Sequence, residues 1–195
     1  MTTDRTHTRQ RVFRKLVKAH SFPGAMESIS CEMNEIDLDL PIPAQIVLLA
    51  ITLLDAESSF AFFSPDAERY EKCISQLTYA KVVSASMADF VFALGGEEYT
   101  SLAVDVAKVG TLSDPHFGAT VIINTLDERG ASETSWELSG PGIREKKEIN
   151  IVDNCTWVGL RNKKNQEFPL GIDIILVNSL GGILALPRTT RMRVV

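Results

Sequence analysis

The residues best equipped for chemistry lie close together at Pro187-Arg188-Thr189-Thr190, after a run of apolar residues. Arg188 offers a planar fork of donors that matches a phosphate or carboxylate, and Thr189 and Thr190 add two hydroxyls. Pro187 has no N–H to give a strand ladder, so the pairing of the preceding strand must change there. A ligand corner of this kind would take an anionic group. The same residues also serve a purely structural reading, in which Arg188 pairs with an internal acid such as Asp173 and the threonines satisfy a turn. Both readings remain open at this level.

A second candidate is electrostatic. Residues 1–18 hold Arg5, Arg9, Arg11, Arg14, Lys15 and Lys18 against Asp4, a charge of +5 in a chain whose formal net charge is −5. Five acids follow closely: Glu27, Glu32, Glu35, Asp37 and Asp39. Arg11, Arg14, Lys15 and Lys18 share one face of a predicted helix, a candidate docking face for an acidic partner or a solvated helix surface. The negative total argues against nonspecific affinity for nucleic acid.

The familiar catalytic signatures are missing. No G-x-x-x-x-G-K-[ST] loop, G-x-G-x-x-G turn or G-x-S-x-G elbow occurs. His7, His20 and His116 are too far apart to share a metal through one helix face, so no metal site is expected. His20 reads as a packed or C-terminal helix residue and His116 as a surface loop residue. The lysines sit on polar faces or in runs such as Arg144-Glu145-Lys146-Lys147-Glu148 and Arg161-Asn162-Lys163-Lys164, which read as solvated surface. None suits a Schiff base, so no pyridoxal or other cofactor is expected. Cys31, Cys73 and Cys155 are widely spaced and odd in number, which fits a reducing cytoplasm. The longest apolar run, Ile46–Leu54, is interrupted by Thr52 and is far below the roughly 20 residues of a membrane span.

The elements that must hold these residues alternate. A helix over about 9–20, capped by Thr6 or Thr8, places Phe13, Leu16, Val17 and His20 on one stripe and ends at Pro23-Gly24. Pro41 and Pro43 introduce a buried helix that ends near Asp55, and residues 59–63 form an aromatic strand. Ser64 caps, and Pro65 begins, a helix that runs to about Thr78. Residues 89–94 form a strand, and 97–109 a helix whose Leu102 and Val106 face inward. A strand over 119–126, a turn at 127–130, a returning strand from Ser135 and an extended 143–151 follow. Residues 154–165 are a weaker helix, and a hairpin closes the series. Ile172–Val177 reads as a central strand covered on both faces. With 195 residues, 45% of them apolar, and no repeat or linker, the chain reads as one α/β domain. Its single sheet is mainly parallel, becomes antiparallel in the later hairpins, and is flanked by helices.

Several blocks carry a resemblance. Phe168-Pro169-Leu170-Gly171-Ile172-Asp173 and Ala185-Leu186-Pro187-Arg188-Thr189-Thr190 resemble the end of the H-subunit family (PhnH) of the bacterial carbon–phosphorus lyase system. Phe13-Arg14-Lys15-Leu16-Val17-Lys18-Ala19 with Ser21, Pro23 and Gly24 is similar to the family's opening, though His20 and Phe22 depart from its pattern. Gly118-Ala119-Thr120 and Leu138-Ser139-Gly140-Pro141-Gly142-Ile143 also match, in the same order. The resemblance implies the fold of the large domain of pyridoxal-dependent transferases without the cofactor lysine. It implies a cytoplasmic homodimer that joins G, I and J subunits in a core complex acting on ATP and an alkylphosphonate. In that system adenine is displaced from ATP, giving a ribose 1-phosphonate 5-triphosphate, and the H subunit is needed alongside G, I and L. Radical cleavage of the carbon–phosphorus bond belongs to J, whose iron–sulfur cysteines have no counterpart here. The expected role is therefore accessory rather than catalytic. The alternative is a stand-alone phosphonate- or nucleotide-binding protein that uses Asp173, Arg188 and Thr190.

Overall fold

The structure is a computed structural model that describes residues 5–36, 40–125, 133–152 and 156–195. Among the described residues six α-helices are formed: α1 (Arg5–Ser21), α2 (Ser30–Met33), α3 (Ala44–Leu53), α4 (Ala67–Thr78), α5 (Glu97–Val106) and α6 (Trp157–Lys164). The first strands are β1 (Glu27–Ser28), β2 (Ser59–Phe63), β3 (Lys81–Val82), β4 (Phe90–Ala93) and β5 (Thr120–Thr125). The remaining ones are β6 (Glu133–Ser139), β7 (Lys147–Val152), β8 (Asp173–Asn178), β9 (Gly182–Leu186) and β10 (Arg191–Val194).

Alternation within the strands divides the core. In β8, Ile174 and Leu176 enter one apolar cluster, while Ile175 and Val177 enter another; β5 splits Val121 and Ile123 from Ile122 in the same way. Successive side chains of a strand point to opposite faces, so each cluster marks one face of a covered sheet. That sheet has the order β1-β9-β8-β5-β4-β2-β3. It is parallel from β3 through β8 and antiparallel at β9 and β1. On one side, Val12 and Leu16 of α1, Ile46–Ala50 of α3 and Ile74 of α4 pack with the aromatic set Phe60, Phe62 and Phe92. Phe62 and Phe92 stack with centroids 4.8 Å apart. On the other side lie α5 and α6, with Trp136, Leu138 and Met192 from a second, three-stranded sheet of order β10-β6-β7.

The central strand and the mainly parallel sheet agree with the sequence expectation, and five details differ. The β6–β7 hairpin does not extend the central sheet but pairs with β10, so that Trp136 and Leu138 cover the α6 face. In α1 the inner stripe is Thr8, Val12, Leu16 and Ala19, while Phe13 and Val17 are about half exposed. A helix turned toward Phe13 would carry Arg11 and Lys15 away from the carboxylates they reach, described below. In α5, Leu102 and Val106 are outward, and Thr100, Ala103, Val104 and Ala107 are buried. The small alanines at i, i+4 let α5 lie close to Trp157 and Val158 of α6. Finally, α4 begins at Ala67 rather than Pro65; Ser64 accepts the Asp66 amide through its side chain and the Ala67 amide through its carbonyl. Thr6 and Thr8 lie inside α1, not at its cap. The expected turn at 127–130 lies outside the described residues.

Candidate functional site

The last residue of β9 is Leu186, and Pro187–Thr190 is a turn closed by the Thr190 amide on the Pro187 carbonyl at 2.9 Å. The next residue starts β10. This turn is where the backbone leaves the seven-stranded sheet and enters the three-stranded one. A proline without an N–H suits that change of ladder.

Arg188 and Asp173 are brought together. Arg188 Nη2 donates to Asp173 Oδ2 at 2.6 Å, Nε to the same oxygen at 3.2 Å, and the Arg188 backbone N–H to Oδ1 at 2.7 Å. The guanidinium also donates from Nη1 to the Pro115 carbonyl at 2.7 Å and from Nη2 toward the Gly118 carbonyl at 3.5 Å. Both side chains are mostly covered. Two glycines make room for this clamp. A Cβ at Gly118 would collide with the Gly171 carbonyl and the Arg188 guanidinium, and one at Gly171 would meet Asn165 Oδ1. Gly171 also has φ +141°, which disfavours any side chain. Thr189 is half-buried; Thr190 is buried, and its hydroxyl has no partner among the described residues.

A residue read from the sequence as solvated surface lies at the centre of the corner. Arg161 is 1% exposed. Its Nη1 donates to the Thr190 carbonyl at 3.0 Å, and its Nη2 to the carbonyls of Pro187 at 2.7 Å and Leu186 at 3.4 Å. It thus gathers the carbonyls of the same turn that Arg188 pins from the other end. Burial pushes the Arg161 guanidinium down to about 10, against the opposing pull of the Asp173 charge, so it stays charged at neutral pH. The charge run misled because only Lys163 of it is exposed: Arg161 is buried, and Asn162 and Lys164 are half-buried on backbone carbonyls. The available signal was the four-residue spacing from Trp157, which sets Arg161 on the buried face of α6. Two asparagines support the corner. Asn162 Nδ2 donates to the Met192 carbonyl at 3.1 Å, and Asn165 holds both the N–H and the carbonyl of Ile172 at 2.8 and 3.1 Å.

On α1 the basic residues mostly meet acids from the segment that follows. Lys15 Nζ reaches both oxygens of Glu32 at 2.7 Å, Lys18 pairs with Glu27 at 2.7 Å, and Arg11 pairs with Glu35 and lies 3.5 Å from Glu32. Arg14 is exposed and has no ion pair among the described residues. Burial pushes the Glu32 carboxyl up, but the hydrogen bond from Lys15, together with the charges of Lys15 and Arg11, offsets this and holds it below its ordinary value. His20 faces the Leu16 carbonyl through Nδ1 at 2.9 Å, and His116 lies in an exposed turn. Among the described residues no group of three or more His, Cys, Asp or Glu could hold a metal, and no helix is long and apolar enough to cross a membrane.

Fold and corner together define an α/β protein in which two sheets are joined by an arginine-pinned turn. The sequence matches the family described as bacterial phosphonate metabolism protein (PhnH) over residues 2–193, and the chain belongs to that family. It is also 28% identical over 189 residues to a protein of Stutzerimonas stutzeri that carries the name of a C-P lyase subunit protein, HtxG. The alignment covers 94% of this chain and 85% of that protein. These matches support a role in phosphonate metabolism through a C–P lyase complex.

Proposed function

We propose that the chain acts as one domain, an accessory subunit of a C–P lyase core complex, and forms a homodimer that assembles with G, I and J subunits. In this reading it is needed with the G, I and L proteins to transfer ribose triphosphate from ATP to an alkylphosphonate, and makes no bond itself. The family match over residues 2–193 carries the proposal. The chemistry of the corner supports it, because Arg188 and Asp173 spend their groups on each other and on backbone carbonyls rather than on an open site. The same commitment leaves less support for a stand-alone binder built on Asp173, Arg188 and Thr190. The likeness to the large domain of pyridoxal-dependent transferases remains part of this proposal.

Co-expression with tagged G, I and J subunits tests it. The chain is expected to elute with them in fixed proportion, and alone to have the light-scattering mass of a dimer. A monodisperse monomer that none of the three retains would overturn the reading.

A further inference from the structure

Beside the β9–β10 turn lies a cavity of about 530 Å³ between α6 and β10. Its volume falls within the range of small-molecule pockets, roughly 300–1,000 Å³. Four of its lining residues are arginines (Arg161, Arg188, Arg191 and Arg193) and none is an acid. Arg188 is neutralised by Asp173. The other three have no ion pair among the described residues. Glu137, opposite Arg193 in the strand register, is taken by Lys146 at 2.8 Å. Arg191 and Arg193 are exposed and two residues apart on β10, so their side chains leave the same face of the strand.

The buried member makes this more than a basic surface. Arg161 donates to backbone carbonyls and, at 3.3 Å, to Asn162 Oδ1; among the described residues its Nε has no partner, and the Thr190 hydroxyl has none either. A cation taken out of water without a carboxylate is costly to keep, and its charge is felt strongly through the low-dielectric wall. The potential of this wall adds to that of the two exposed arginines at the cavity mouth. An acid-free, concave site with three guanidinium groups that have no ion pair among the described residues selects a compact polyanion over a single carboxylate.

We propose that this cavity binds a phosphate-type polyanion, either a bare oligophosphate or a phosphate ester. It is held at its mouth by Arg191 and Arg193 against the field of Arg161. The inference does not rest on the assembly reading, and binding can fail while co-purification succeeds.

Titration calorimetry on the purified full chain, at matched ionic strength, distinguishes the sources. Inorganic pyrophosphate represents the bare oligophosphate. Phenyl phosphate represents an ester whose ring can meet the exposed Phe168 at the rim. Saturable binding of either, one per chain, is expected, and Arg191→Ala/Arg193→Ala should weaken it at least about tenfold without moving the unfolding midpoint. Both substitutions are on exposed side chains, so the variant keeps its fold. Absence of saturable binding of both probes at millimolar concentration would overturn the proposal. So would binding indifferent to the double substitution, or an oligoglutamate peptide that binds more tightly than either probe.

Discussion

On α1, Lys15, Arg11 and Lys18 reach Glu32, Glu35 and Glu27, whereas at the β9–β10 turn Arg161 is enclosed and reaches backbone carbonyls and Asn162 Oδ1 but no carboxylate among the described residues. Both regions look alike in the sequence, as short basic runs on helices. In the first, charge is met by charge: the cations are partly exposed, where a pair contributes little, and the one buried acid, Glu32, is matched by Lys15 and Arg11. In the second, a guanidinium replaces water for three backbone carbonyls at once, so its removal takes a donor from each of them. The local density of charge therefore says nothing of its energetic weight; the partner and the burial decide it. Arg188 is intermediate, mostly covered yet matched by a carboxylate.

The comparison orders the expected losses. Arg161→Met should cost most, about 3 kcal/mol, because the carbonyls of Leu186, Pro187 and Thr190 lose the guanidinium together, Pro187 keeping only the Thr190 amide. Urea denaturation reads it directly, and Arg161→Lys should recover less than half, since an ammonium cannot fork between them. A neutral result would remove the distinction between the two regions. Asp173→Asn comes next, at about 2 kcal/mol, for it strands the Arg188 guanidinium with only carbonyl partners. The same assay checks it, and a loss larger than that of Arg161→Met would reverse the order.

The α1 region should respond to acid instead. The Glu32 carboxyl is lowered below 4.5 in the folded chain, so its contribution is complete above the unfolded value and disappears as pH falls through the folded one. At pH 7, Glu32→Gln should cost about 1 kcal/mol, and the gap to the parent should close as denaturation is repeated at decreasing pH below 4.5. A gap that widens on acidification would contradict the pairing with Lys15. The smallest effect is assigned to Arg14→Ala, within about 0.5 kcal/mol in thermal melts. If this face docks, the same variant should instead lose retention on the partner subunits.

Much of the architecture was legible because it follows from local periodicity. The apolar run Ile174–Val177 could belong only to a strand covered on both faces, and Gly95-Gly96 separated β4 from α5 as expected. The Arg188–Asp173 pair was legible as one of two options, since an internal acid lay within the same closing hairpin. What could not be read was rotation and sheet membership. Val12 and Phe13 are adjacent, and a few tens of degrees decide which one is buried; that choice came from acids some 20 residues later. Nothing near Trp136 or Arg191 announces that their strands pair with each other across more than fifty positions. Separation along the chain also hid Arg161, whose partners belong to a turn 26 to 29 residues away.

Reverse turns are ordinarily places where amide protons trade rapidly with solvent. Pro187–Thr190 is gripped from two sides, with the Arg188 N–H given to Asp173 and the Thr190 N–H closed on Pro187. In deuterated water those two amides should therefore keep their protons about as long as the strands on either side, so that two sheets and the bend between them open as one cooperative unit.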